Sequence, residues 1–235
     1  MAEERPRDAV THFSGYVHQF DALYRDRADF DERVSIWQAL LDAHSAPGNV
    51  AIDMGCGTGV FSFYLAGRGV RVIGVDGAPG MIQFCEERRS REGLQNIRFV
   101  RGTLPEVDES ALEPADLVIS SSVVEYVERL DDTLALFVRH LKPAGVLIIS
   151  MPNLFSVSRA YERLKYMLTG EPNIYAHIRN FSSPYLLDRR VRGLGLTLLQ
   201  SRYYAHPTRV ASLSRRVFLP PPMTEDLFVA VFRKA

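Results

Sequence analysis

Between residues 9 and 44 apolar side chains recur at helical spacing. Phe13, Tyr16, Phe20 and Tyr24 lie three and four apart, and a second amphipathic stretch runs from Asp31 to His44. Ser45-Ala-Pro-Gly48 stops that pattern. Beyond it, short apolar runs alternate with amphipathic ones. The runs predict strands at Asn49–Asp53, Val70–Asp76, Ile97–Arg101, Ala115–Ser120 and Val146–Ser150. Helices are predicted from the glycine turn after Asp53 through Gly67, over Gly80–Glu92 and over Thr133–Leu141, with Lys142-Pro-Ala-Gly145 as a turn into the fifth strand. Strands alternating with helices imply right-handed crossovers and an α/β fold, a doubly wound and mainly parallel sheet. Such sheets bind ligands outside the carboxyl ends of their strands.

Length and composition narrow this further. The chain has 235 residues, 46% hydrophobic and 24% charged, which suits one globular domain over residues 1–235 and excludes disordered and fibrous classes. There is no internal repeat and no low-complexity linker. No run of about 18 apolar residues occurs, and the polar start lacks a signal peptide's apolar stretch, so a cytoplasmic protein without stable membrane insertion is expected. Cys56 and Cys85 are the only cysteines, too few for a disulfide framework or a zinc cluster. The zero net charge hides an asymmetry: residues 1–150 carry a net −8 and residues 151–235 a net +8. A neutral chain is not built for general nucleic-acid binding, whereas a basic C-terminal part suits an anionic small molecule.

The chemical signal is Asp53-Met-Gly-Cys-Gly-Thr-Gly59, directly after the first strand. Glycines at alternate positions let a backbone approach a ligand closely. Position 60 is Val, so the dinucleotide pattern G-x-G-x-x-G is absent, and Asp53 would repel a pyrophosphate but suit an amino group. Asp76, ending the second strand, is positioned to accept ribose hydroxyls.

These residues, with three further motifs, make the chain similar to the class I S-adenosylmethionine-dependent methyltransferases. The likeness covers residues 45–153: Val50-Ala-Ile-Asp-Met-Gly-Cys-Gly-Thr-Gly59, then Val75-Asp76 with Met81, then Ala115–Val127, then Leu141–Ile149. Within that family the chain resembles the small-molecule branch, including quinone-biosynthesis O-methyltransferases. The resemblance implies a Rossmann-like seven-stranded sheet with an antiparallel C-terminal strand. Two final strands are expected at Leu196–Tyr204 and Asp226–Arg233, with an N-terminal helical cap over residues 1–44, a cofactor core over 45–153 and a helical lid over 154–195. It implies S-adenosyl-L-methionine as cofactor. Gly55 and Gly57 would underlie its methionine part, with Asp53 near the amino group, Asp76 and Gly77 at the ribose and Met81 against the adenine. Relatives place an Asp after the glycine that follows the third strand; this chain has Gly102-Thr103, leaving Thr103 and the Leu104 N–H as substitutes. Ser120 and Ser121 would lie near the sulfonium, and Tyr16 and Tyr24 complete the implied cofactor set. Where some relatives carry a metal-holding Glu-x-x-Glu-His, this chain has Ser122, Glu125 and Tyr126, so no metal is expected.

The expected reaction is methyl transfer to a small-molecule acceptor, oxygen being favoured over nitrogen or carbon. Alternatives are an RNA-base methyltransferase and a non-catalytic protein that kept the fold. A hydroxyl acceptor benefits from a general base, and His177, in the segment that roofs the acceptor pocket in relatives, is the candidate; His18 and Tyr16 are weaker ones. Aromatics of the lid and Arg209, Arg215, Arg216 and Phe218 of the connection 205–224 suggest a flat or apolar acceptor bearing an acidic group. A basic segment touching a membrane surface and a homodimer are further options.

Overall fold

A computed structural model describes residues 9–15, 17–26, 28–204 and 220–235. Seven strands form one sheet in the order β3-β2-β1-β4-β5-β7-β6. They are β1 (Val50–Met54), β2 (Arg71–Asp76), β3 (Ile97–Arg101), β4 (Ala115–Ser121), β5 (Leu141–Pro152), β6 (Leu196–Tyr204) and β7 (Leu227–Lys234). β1 to β5 run parallel. β7 is antiparallel to both β5 and β6, so β6 runs with the core strands and β7 alone is reversed. The expected α/β sheet of seven strands is therefore present.

One boundary differs from expectation. The turn Lys142-Pro-Ala-Gly145 is absorbed into β5 as a bulge: Ala115 pairs with Leu141 and Leu117 with Val146, and Ala144 takes the left-handed φ of 61°. Leu141 stays in the sheet because it is buried, which outweighs the turn propensity of Pro-Ala-Gly.

Helices are α1 (Ala9–Ser14), α2 (Val17–Asp26), α3 (Ala28–His44), α4 (Val60–Ala66), α5 (Pro79–Glu92), α6 (Leu130–His140), α7 (Val157–Thr169), α8 (Pro184–Arg192) and α9 (Pro221–Thr224). Local chemistry sets their ends. Ser156 caps α7 by accepting from the Arg159 N–H at 3.2 Å, and Ser183 caps α8 ahead of Pro184. Gly93, at φ 66°, ends α5.

Successive strand residues face opposite layers. Ile52, Met54, Val118, Leu147 and Ile149 pack into one core with Phe137 of α6 and Leu187 of α8. Ala51, Leu117, Ile119 and Ile148 pack into the other with Trp37 and Leu41 of α3 and Phe61 of α4. Trp37 is fully buried and stacks on Phe61 with ring centroids 4.9 Å apart, docking α3 on the sheet. Among the described residues no helix is long and apolar enough to cross a membrane. Trp37→Ala is expected to lower the free energy of unfolding by about 3–5 kcal/mol, read from urea denaturation. A loss below about 1 kcal/mol would mean that α3 is not held by this contact.

Candidate active site

The site begins where β1 and β2 end side by side. The Gly55 and Cys56 N–H groups both donate to the Val75 carbonyl, at 2.7 and 2.9 Å, which folds the loop back over the sheet edge. Gly55, at φ 81°, has no room for a side chain: a Cβ there would meet Val123 Cγ2 at 2.2 Å. Gly57, at φ 54°, donates its N–H to Asp76 Oδ2 at 2.9 Å. The Ala78 N–H donates to the other oxygen of Asp76 at 2.8 Å. Two backbone donors thus fix the carboxylate, and each oxygen keeps acceptor capacity for a ligand hydroxyl.

Asp53 lies behind this loop, 2% exposed, accepting from Ser62 Oγ at 2.6 Å. Burial, reinforced by the neighbouring Asp76 charge and opposed by Ser62, pushes its carboxyl up to about 7. Burial also raises Asp76, against the pull of its two N–H donors. Asp53 lines a pocket of about 30 Å³ together with Gly55, Gly57, Thr58 and Ser121, and the Thr58 hydroxyl there is buried without a partner among the described residues. An unpartnered hydroxyl and a costly buried carboxyl under one glycine loop fit a ligand's ammonium and carboxylate groups.

A cavity of about 870 Å³ opens from this edge. Gly55, Gly57, Asp76, Gly77, Met81, Thr103, Leu104, Ser121 and His177 all line it. Ser120 does not: strand alternation turns it inward, where its hydroxyl donates to the Met54 carbonyl at 3.0 Å. Tyr16 and the connection bearing Arg209, Arg215, Arg216 and Phe218 lie outside the described residues, as do the side chains of Tyr24 and His18.

The far end of the cavity is built from residues that sequence reasoning did not assign to it: Phe30, Arg33, Glu125, Tyr126, Arg159 and Arg179. Arg33 carried a readable signal, since it shares one helical face with Phe30 and Trp37 and is 6% exposed. Its Nη2 donates to Ser121 Oγ at 2.6 Å. Arg159 donates to the Tyr175 hydroxyl at 3.2 Å and to the Asp226 carbonyl at 3.4 Å, with Glu162 at 3.6 Å; Tyr175 in turn donates to Glu162 at 2.7 Å. Glu125 is 3% exposed, and burial pushes its carboxyl up to about 7 against the attraction of Arg33 and Arg159. The turn holding Glu125 is tied to the roof: the Arg179 and Asn180 N–H groups donate to its carbonyl at 2.7 and 3.1 Å. The Asn180 amide also donates to the carbonyls of Val124 and Val127, at 2.9 and 2.7 Å.

Residues 45–190 match the family model described as a methyltransferase domain. The chain belongs to the class I S-adenosylmethionine-dependent methyltransferases. This methyltransferase is 32% identical over 102 residues to the ubiquinone biosynthesis O-methyltransferase of Rickettsia conorii, covering 43% of this chain and 34% of that protein. It is 32% identical over 140 residues to the malonyl-[acyl-carrier protein] O-methyltransferase of Serratia marcescens, covering 59% and 50%. With the ubiquinone biosynthesis O-methyltransferase of Hahella chejuensis it shares 27% over 202 residues, covering 83% and 77%. The match thus spans half or less of the first two relatives' lengths. Among solved structures, magnesium protoporphyrin IX methyltransferase from Synechocystis, with bound S-adenosylhomocysteine, gives a TM-score of 0.71 at 16% identity over 96% of this methyltransferase and 99% of that chain. The N-methyltransferase NodS from Bradyrhizobium japonicum, also with S-adenosylhomocysteine, gives 0.70 at 16%, covering 96% and 97%. These two establish a shared fold.

The Asp53 carboxyl makes a signed prediction. Raised from 3.8 to about 7, it places no burden on the fold below the ordinary value and destabilises it increasingly as pH rises through that window. Asp53→Asn keeps an acceptor for Ser62 and removes the charge. The variant without ligand should therefore melt higher than the wild type at about pH 8 and alike at about pH 4, by scanning calorimetry. Equal shifts at both pH values would show that Asp53 does not titrate in this window.

Proposed function

We propose that the protein transfers a methyl group from S-adenosylmethionine to a hydroxyl oxygen of a small organic acceptor. The observation that carries this is the continuity of one cavity of about 870 Å³, from the Asp76 carboxylate and the glycine loop to Glu125 and His177. S-adenosylmethionine supplies the electrophilic methyl on a sulfonium whose thioether leaves readily. The residues here do the rest. Asp76 would accept the ribose hydroxyls through lone pairs left by the Gly57 and Ala78 N–H groups. Asp53 and the Thr58 hydroxyl, with the loop, would hold the methionine part; Met81, 2% exposed, would flank the adenine beside Thr103 and the Leu104 N–H. Alignment by such contacts supplies several kcal/mol of the barrier.

The O-methyltransferase names of the relatives favour oxygen as target atom. At the acceptor end two groups can take a proton, His177 from the roof and Glu125 from the turn after β4. Arg33, Arg159 and Arg179 line that end among Glu125 and Glu128, with Arg179 paired to Glu128 at 3.0 Å, so guanidinium donors are at hand for an acceptor with an acidic substituent. RNA as substrate is disfavoured by the neutral charge balance.

Calorimetric titration should find S-adenosylmethionine and S-adenosylhomocysteine binding one site per chain, and methyl-labelled cofactor should pass label to small hydroxyl compounds. Asp76→Ala should weaken S-adenosylhomocysteine at least roughly tenfold, because a charge-assisted contact is worth about 1.5–3 kcal/mol. No binding by the wild type, or label passing to RNA alone, would overturn the reading. His177→Ala is expected to lower kcat/KM for the acceptor by roughly tenfold or more while S-adenosylhomocysteine affinity stays within about twofold. Unchanged kinetics would remove His177 from the acceptor end.

A further inference from the structure

The turn that follows β4 places two polar side chains, Ser122 and Glu125, in the wall of the cavity. Among the described residues, Glu125 Oε2 and Ser122 Oγ are both buried and neither makes a well-formed hydrogen bond to another residue, although the Ser122 hydroxyl lies near enough to the Glu125 carboxylate to favour its ionised form. Such atoms are rare in folded proteins, because each loses hydration without compensation. They lie three residues apart in one turn, and both residues line the cavity. The turn is held firmly in this shape. Ser122 sits at φ 56°, a left-handed conformation that a side-chain-bearing residue seldom keeps. Its N–H donates to Ser150 Oγ at 3.0 Å, and Asn180 and Arg179 clamp the other end through Val124, Glu125 and Val127. The fold therefore spends fixed contacts on keeping Glu125 and Ser122 in the cavity wall, yet gives neither side chain a strong protein partner there.

Resting on the methyltransferase reading above, we infer that Glu125, with Ser122 beside it, seats the reacting hydroxyl of the acceptor and takes its proton. The acceptor oxygen forms the new bond to the methyl carbon as the carbon–sulfur bond breaks, and that electron pair stays on the departing thioether. The hydroxyl proton passes to the Glu125 carboxylate, whose negative charge is neutralised as the sulfonium's positive charge disappears. Water removes the proton after product leaves. The surrounding charges choose a neutral donor over a cation. Arg33 on α3 and Arg159 on α7 both face the carboxyl and would repel an ammonium. Tyr126 is half-buried beside it, and desolvation with the Glu125 charge raises its phenol, so it stays a donor. His177 lines the same cavity from the segment after α7. A carboxyl lifted to about 7 by burial is matched to proton transfer near neutral pH.

The test uses 4-methylphenol and 4-nitrophenol as acceptors with methyl-labelled S-adenosylmethionine. On 4-methylphenol the wild type should show a rate that rises with pH through a single ionisation, and Glu125→Gln should lower turnover roughly 100-fold or more and lose that limb. S-adenosylhomocysteine affinity in the variant should stay within about twofold, which also reports its folding. On 4-nitrophenol, already ionised at about pH 8.5, the deficit should shrink to less than roughly tenfold, since no base is needed. Glu125→Asp, which keeps a carboxyl, should retain the limb at reduced turnover, and stands in should the Gln variant not fold. The inference is overturned if the limb survives in Glu125→Gln and vanishes in His177→Ala. It is also overturned if the wild type binds S-adenosylhomocysteine but methylates amines and neither phenol. Failure of the wild type to bind S-adenosylhomocysteine would overturn the functional reading itself.

Discussion

The position of one carboxylate governs the cofactor side of this protein. Asp76 ends β2, where the strand's last backbone groups no longer have sheet partners on every side. Its two oxygens take the Gly57 and Ala78 N–H groups, 2.9 and 2.8 Å away, and so join the glycine loop, the strand end and the start of α5 into one unit. The Val75 carbonyl completes that unit by accepting from both Gly55 and Cys56. Moving Asp76 would release the loop, and a side chain at Gly55 would strike Val123, so the loop has one conformation compatible with the packed sheet. That constraint explains why the site forms at this edge: the parallel sheet supplies the geometry and the glycines let the backbone follow it.

The two ends of the cavity are built on different principles. The cofactor end is backbone and strand-terminal side chains, placed by hydrogen bonds inside the sheet. The far end is side chains from α3, α7, the turn after β4 and the segment 174–179, elements that meet only through packing. The first end is rigid by topology. The second depends on a set of buried polar contacts, among them Asn180 with the turn, Arg33 with Ser121 and Arg159 with Tyr175.

This division explains what the sequence revealed. Strand runs such as Val50–Met54 and Ala115–Ser121 announce themselves as short, mostly apolar segments, with Val50-Ala-Ile52 and Leu117-Val-Ile119 at their centres, because strands covered on both faces are mainly apolar. The loop from Asp53 to Gly59 and the acid at Asp76 are readable because their spacing is local and their residue types are demanded by backbone geometry. The bulge within β5 was hidden, since Pro-Ala-Gly reads as a turn and only pairing across to Ala115 shows the strand continuing. The far end was hidden for a deeper reason. Arg33, Glu125 and Arg159 are remote in sequence, and nothing local marks a Glu as buried when its partners arrive from other helices. Ser120 shows the reverse error: its place beside Ser121 suggested the cavity, but the two-residue period of a strand sends neighbours to opposite faces.

Arg159 links the roof to the chemistry. Its side chain is only 15% exposed, so its guanidinium needs partners, and it finds them in Tyr175, Glu162 and the Asp226 carbonyl, which belong to the roof, to α7 itself and to the segment leading into β7. Asp226 is buried, held by Ser156 at 2.7 Å from the α7 cap. A network of this kind adds little net stability over an apolar replacement, but losing one member strands the others without water. It therefore restricts α7 to one seat against β7 and the roof. The same guanidinium favours the ionised form of Glu125. The contacts that seat α7 against β7 and the roof therefore also fix the place of a charge that acts on Glu125.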